Sequence, residues 1–103
     1  MKKLINGKLY DTETAEEIYT SDNGIYGNDF RRYSETLYRT KKGVFFLYGE
    51  GGPLSKYAVN HGNSTSGGSD ITVLSNIEAF EWLQENQAIE KIQELFPDEI
   101  EEG

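Results

Sequence analysis

Nine carboxylates and one lysine fall within residues 75–103: Glu78, Glu81, Glu85, Glu90, Glu94, Asp98, Glu99, Glu101 and Glu102 against Lys91. Spacings of three and four residues put Glu78, Glu81 and Glu85 on one face of a helix, and Glu90 with Glu94 on one face of another. Like charges so placed cost a helix about 0.2–0.5 kcal/mol per pair. A row of carboxylates can offer a basic partner what a phosphate backbone would. It can equally be a solubilising surface, and the residues alone leave both open.

A second group has the opposite sign. Arg31, Arg32, Arg39, Lys41 and Lys42 surround one stretch, with Phe30, Tyr33 and Tyr38 interleaved. Cations neutralise phosphates and aromatic rings stack on bases, so this is the composition of a nucleic-acid surface. Asp29 and Glu35 interrupt it, and a solvated strand face would look the same. Glu50, Gly51 and Gly52, within Gly49-Glu50-Gly51-Gly52-Pro53, form a loop whose bare N–H groups could cradle an anion. The spacing is not that of a phosphate loop, and Glu50 would repel phosphate, so a tight turn or close backbone packing is the plainer account. The run Ser64 to Ser69 reads as a linker or a second anion loop. Glu50, Asp70 and His61 could imitate an acid–base or metal site, but nothing in the sequence brings them together.

Several chemistries are excluded by composition. The 103 residues include no Cys and one His, which rules out disulfides and thiolate metal sites and leaves any triad to His61. The expectation is therefore a protein with no cofactor and no metal that catalyses nothing. No stretch approaches the roughly 20 apolar residues of a membrane span. Met1 to Gly7 lacks the apolar core of a signal peptide, which makes the cytoplasm the expected compartment. The net charge of −8 is also uneven: residues 1–74 carry nine Lys/Arg and nine Asp/Glu, so the whole excess lies after them. Such segregation bears on partners rather than on fold.

The elements that must position these groups follow from pattern. Asn6-Gly7 between Leu4-Ile5 and Lys8-Leu9-Tyr10 predicts a hairpin. Residues 16–21 are assigned to a strand, with a helical turn over 15–18 as the alternative. Asp22-Asn23-Gly24 and Gly27-Asn28-Asp29 mark a loop enclosing Ile25 and Tyr26. Ser34–Thr40 and Val44–Tyr48 form a second hairpin, with Leu37, Glu35 and Arg39 on one face. Val44–Tyr48 is apolar on both faces and predicts a central strand. Gly49–Pro53 is expected to break it, with a short helical turn over 55–59, a flexible polar loop over 61–69 and a strand over 70–74. Ser75-x-x-Glu78 is a capping box. Ile77, Phe80 and Leu83 beside Trp82, then Ala88 or Ile89 with Ile92, Leu95 and Phe96, predict two helices, the second stopped by Pro97. The expected fold is α+β: an antiparallel sheet of four to five strands followed by two C-terminal helices packed on one face. Residues 1–103 are taken as one domain: sheet and loops to 74, helices over 75–97, and an acidic tail over 98–103.

Three stretches carry a family resemblance. They are Gly7-Lys8-Leu9-Tyr10-Asp11-Thr12-Glu13-Thr14-Ala15, the block from Ser34-Glu35-Thr36-Leu37-Tyr38 to Gly49-Glu50-Gly51-Gly52-Pro53, and Glu78-Ala79-Phe80-Glu81-Trp82-Leu83. Together they resemble small acidic proteins carried on plasmids, conjugative elements and prophages of Firmicutes. Some proteins of this kind resemble type II-A anti-CRISPR proteins, which inhibit Cas9. The resemblance implies an inhibitor that acts by binding, with Cas9 or its guide complex as the basic, nucleic-acid-handling partner. Two alternatives stand beside it: a nucleic-acid-binding accessory protein using Arg31 to Lys42, and a phosphate or small-ligand module using the glycine loops. A homodimer through an exposed strand edge is compatible with all three.

Overall fold

The computed structural model describes residues 1–25 and 29–103; Tyr26, Gly27 and Asn28, which belong to the expected loop before Asp29, lie outside the described residues. Asn6 and Gly7 take the positive φ values of 52° and 77° that a two-residue hairpin turn needs. They join β1 (Lys2–Ile5) to β2 (Lys8–Asp11). Three longer antiparallel strands follow: β3 (Glu16–Asp22), β4 (Tyr33–Arg39) and β5 (Phe45–Gly51). A small hairpin of β6 (Val59–Asn60) and β7 (Thr65–Ser66) precedes β8 (Gly68–Leu74). β8 returns to pair with β5 and completes a four-stranded sheet ordered β3-β4-β5-β8. Then come helix α1 (Asn76–Glu85), helix α2 (Ile89–Leu95) and a 3₁₀ turn over Pro97–Glu99. The fold is α+β, with both helices on one face of the sheet.

β5 explains why two layers cover this sheet. Phe45 and Leu47 point to the helices and pack with Leu37, Ala79, Trp82, Leu83 and Ile92. Phe46 points the other way, against Ile71 and against Tyr10 of the first hairpin. Leu37, Phe46, Ile71 and Leu83 are the largest fully buried side chains, each worth about 1.5–3 kcal/mol of burial. The central-strand assignment thus holds. So do the hairpin at Asn6-Gly7, the strand over 16–21 and the capping box, in which Glu78 N–H donates to Ser75 Oγ and Ser75 N–H to Glu78 Oε1.

Four expectations are corrected. Gly49–Pro53 does not break β5, which continues through Gly51 and pairs on both sides, Gly49 with Glu35 and Asp70. The glycines serve close packing there: a Cβ on Gly49 would fall inside the ring of Tyr57, and one on Gly52 would press on the Phe30 carbonyl. Residues 55–58 form successive turns (Ser55 N–H to Gly52 O, Ala58 N–H to Ser55 O) rather than a helical turn. Residues 61–69 are not one loop, because β7 and the start of β8 lie within them. In α1, Ile77 is exposed, at 71%, while Ala79 is buried; of the two candidates that open the face of α2, Ala88 is the one that packs and Ile89 is exposed. The face that packs is Ala79, Trp82, Leu83 and Asn86, the i, i+3, i+4, i+7 set.

Both sheet edges are guarded against pairing. β3 carries a register shift between Glu17 and Tyr19, and this bulge turns Ile18 and Tyr19 toward the helix side together. At β8, Lys3 Nζ bonds the Asp70 carboxylate and the Ile71 carbonyl.

The Tyr57 ring lies across Gly49 to reach Glu35, so these positions are coupled. Gly49→Ala should destabilise the fold by about 2–4 kcal/mol through forced displacement of the ring. Adding Tyr57→Ala should make the glycine change nearly neutral on top of the tyrosine change. Urea denaturation of the four proteins of this cycle measures the coupling, and additive effects would show that Gly49 does not serve Tyr57.

Candidate functional site

The helical surface is built on one buried carboxylate. Glu35, on β4, is 7% exposed and faces the helix side with Leu37. Trp82 Nε1 donates to its Oε1 at 3.2 Å, Lys56 Nζ reaches Oε2 at 2.8 Å, and the Tyr57 hydroxyl donates to Oε2. Burial by itself would raise the Glu35 pKa, but the bonds from Lys56, Tyr57 and Trp82 outweigh it and hold the carboxyl below its ordinary range. Burial and the same carboxylate push the Tyr57 hydroxyl far up, so it stays protonated and donates. No buried side-chain polar atom among the described residues lacks a partner. Each Glu35 oxygen thus has a partner within the fold.

Trp82 thereby fixes α1, and Tyr19 packs edge-on against its ring at 6.1 Å between centroids. Asn86, at the helix end, takes a hydrogen bond from Ser21 of β3. The outward side of α1 then carries Glu78, Glu81 and Glu85, and α2 with the following turn carries Glu90, Glu94, Asp98 and Glu99, all exposed. Their states differ. Glu78 is committed to the capping box, whose Ser75 N–H keeps its carboxyl below the ordinary range. Glu94 lies 3.3 Å from Lys91. Glu81, Glu85, Glu90, Asp98 and Glu99 make no ion pair among the described residues.

An apolar trough borders these acids. Ile77, Phe80 and Phe96 form its floor, with Glu81, Gln84 and Glu99 on its rim. It continues past Phe80 and Gln84 to Ile89 and Ile100. The trough exists because the capping box places Ile77 at the start of α1, outside the core-facing stripe.

The basic group expected around Arg31 to Lys42 is divided. Arg31 forms a two-pronged contact with Asp29, at 2.9 and 3.1 Å, and its side chain holds Asp29 down at about 2. Arg39 pairs with Glu16 at 2.9 Å. The length of β4, about 20 Å at about 3.3 Å per residue, separates Arg32 from Lys41 and Lys42. At the far end, Lys41 and Lys42 meet Lys8 of the first hairpin around a cleft of about 470 Å³, a residue that sequence reasoning did not select.

The glycine loop is spent on the fold. Gly52 N–H donates to the Arg32 carbonyl at 2.8 Å, Gly51 pairs with Tyr33, and Glu50 accepts from the Tyr48 hydroxyl at 3.0 Å. Asp70 pairs with Lys3, and His61 bonds Ser66, so Glu50, Asp70 and His61 do not converge. No group of three or more His, Cys, Asp or Glu among the described residues could hold a metal ion. No helix among them is long and apolar enough to cross a membrane. No protein-family model, curated protein or solved structure compared with this chain matches it.

The Glu35 carboxyl titrates lower in the folded chain than its ordinary value of 4.5. Its contribution to stability is present above that value and is lost as pH falls through the lowered folded pKa. Glu35→Gln should be less stable near neutral pH and should lose stability less steeply on acidification. Denaturant midpoints at about pH 7 and about pH 3 check this; an equally steep fall in the variant would remove Glu35 from the acid response.

Proposed function

We propose that the chain acts by binding, and that its helical face occupies a basic surface of a nucleic-acid-handling protein in the bacterial cytoplasm. The observation that carries this is the pairing of unneutralised carboxylates with exposed apolar anchors on one rigid face. Carboxylates steer a basic partner and set the register, while Ile77 and Ile89 supply area that becomes dry on contact. A surface meant only for solubility would not need Ile77 71% exposed next to it. Cas9 of a type II-A system, alone or with its guide, is the partner that the resemblance to anti-CRISPR proteins supplies. In that case the face would compete for a channel that otherwise holds nucleic acid. No reaction is assigned to the chain, since the two buried carboxylates among the described residues, Glu35 and Asp11, both accept hydrogen bonds within the fold.

Glu78 does not belong in a test of this face, because reversing it would open the capping box. Glu81→Lys, Glu85→Lys and Glu90→Lys together should weaken binding to Cas9 by about tenfold or more and flatten its salt dependence, without lowering the thermal midpoint. Inhibition of target-DNA cleavage should fall in parallel. A folded triple variant that binds and inhibits as before would refute the proposal.

A further inference from the structure

The charges on the other side of the sheet are arranged differently. Among the described residues five of the ten Lys and Arg side chains are in ion pairs: Lys3, Arg31, Arg39, Lys56 and Lys91. Lys2, Lys8, Arg32, Lys41 and Lys42 are not. Three of those five, Lys8, Lys41 and Lys42, line one cleft between the tip of the first hairpin and the β4–β5 turn. In a chain with a net charge of −8, this is a local reversal of sign.

The acids near the cleft oppose its charge only in part: Asp11 lines it, and Glu13, exposed and in no ion pair among the described residues, adjoins lining Thr14. Asp11 is 8% exposed, and its Oδ1 accepts the Glu13 N–H at 2.9 Å. Glu16 is engaged by Arg39. Both helices lie across the sheet, on the face that β5 presents through Phe45 and Leu47. Their field at the cleft is weakened by a screening length of about 8–10 Å at physiological ionic strength. The apolar part of the cleft wall is Leu9, 59% exposed, with half-buried Ala15 and Val44, beside Thr14 and Thr40.

We infer that this cleft is a contact site for the phosphates of a single-stranded nucleic acid, with Lys8, Lys41 and Lys42 as the contacting groups. Lysine ammonium groups on flexible stems suit successive phosphates as point charges, where a carboxylate ligand favours the planar fork of arginine. A duplex keeps its bases paired and stacked, whereas a single strand can lay its backbone on the lysines and turn an unstacked base against exposed Leu9. The site stands independently of the helical face: its ligand is acidic, and it would bind with the helices neutralised.

The test is titration of the full chain with a single-stranded oligothymidylate at two salt concentrations, read by fluorescence anisotropy. Binding should weaken with salt at a logarithmic slope of roughly −2, as expected for about three phosphate contacts on a single strand. Lys8→Gln, Lys41→Gln and Lys42→Gln together should cost about tenfold or more in affinity while leaving the thermal midpoint unchanged. Glu81→Gln, Glu85→Gln and Glu90→Gln together should leave affinity unchanged or raise it. No binding at low salt, or undiminished binding by the folded lysine variant, would overturn the inference. So would an equal response to polyglutamate, or to a mononucleotide alone, because either would remove the strand as the ligand.

Discussion

A carboxylate taken almost out of water holds this fold to one arrangement. Removing one partner of a buried charge typically costs 3–5 kcal/mol, because the charge is left uncompensated. Glu35 takes its partners from elements far apart in sequence: Trp82 from α1, Lys56 and Tyr57 from the turns after β5. None of these elements can lift away without stranding it. The helices and the 53–58 segment cover adjoining parts of one sheet face, and Glu35 sits where they meet. Gly49 is the concession that makes this possible, since any larger residue there would exclude the Tyr57 ring.

From that constraint the distribution of charge follows. With Trp82 and Asn86 pinned to β4 and β3, the opposite side of α1 must face solvent, and the acids and Ile77 go with it. The first hairpin packs on the other face through Tyr10, and this carries Lys8 to the turn that holds Lys41 and Lys42. The sheet then stands between two surfaces of opposite sign. Each is set by backbone geometry rather than by ion pairing between them, so under the two proposals neither would first have to break a contact with the other.

Local pattern made much of the fold legible and little of the site. Turn chemistry at Asn6-Gly7, two-sided apolarity in Val44–Tyr48 and the Ser75–Glu78 spacing are decided by nearest neighbours, and they hold. Gly49–Pro53 misleads because glycine has two uses: it ends strands, and it lets another group approach the backbone closely. Only the position of Tyr57, a tertiary fact, distinguishes them. In α1 only Ile77 departs from the expected face: Phe80 packs half-buried against the core, and Trp82 and Leu83 are buried. Ala79, Trp82, Leu83 and Asn86 carry the period, but a small residue and a polar one hide it. Glu35 looked like a charge interrupting a basic surface. Its burial depends on three partners 21 to 47 residues away, and no window of sequence contains them. Lys8 joins Lys41 and Lys42 only through the docking of one hairpin on another, which leaves no local trace.

Repulsion among the helical acids bears on the proposed binding. Glu81 and Glu85 stand four residues apart with no cation between them, a placement that disfavours an isolated helix. α1 tolerates it because the capping box secures one end, Asn86 bonds Ser21 at the other, and Trp82 anchors the middle. The helix is therefore held by contacts on its inner side while strain accumulates on its outer side. A cationic surface arriving there relieves that repulsion without asking the helix to reorder, so its attraction is opposed by little conformational cost. Solvating carboxylates on a flexible tail would screen equally well in the free protein, but they would have to be ordered on contact. Placing them on a pinned helix beside exposed isoleucines favours recognition over simple solubility.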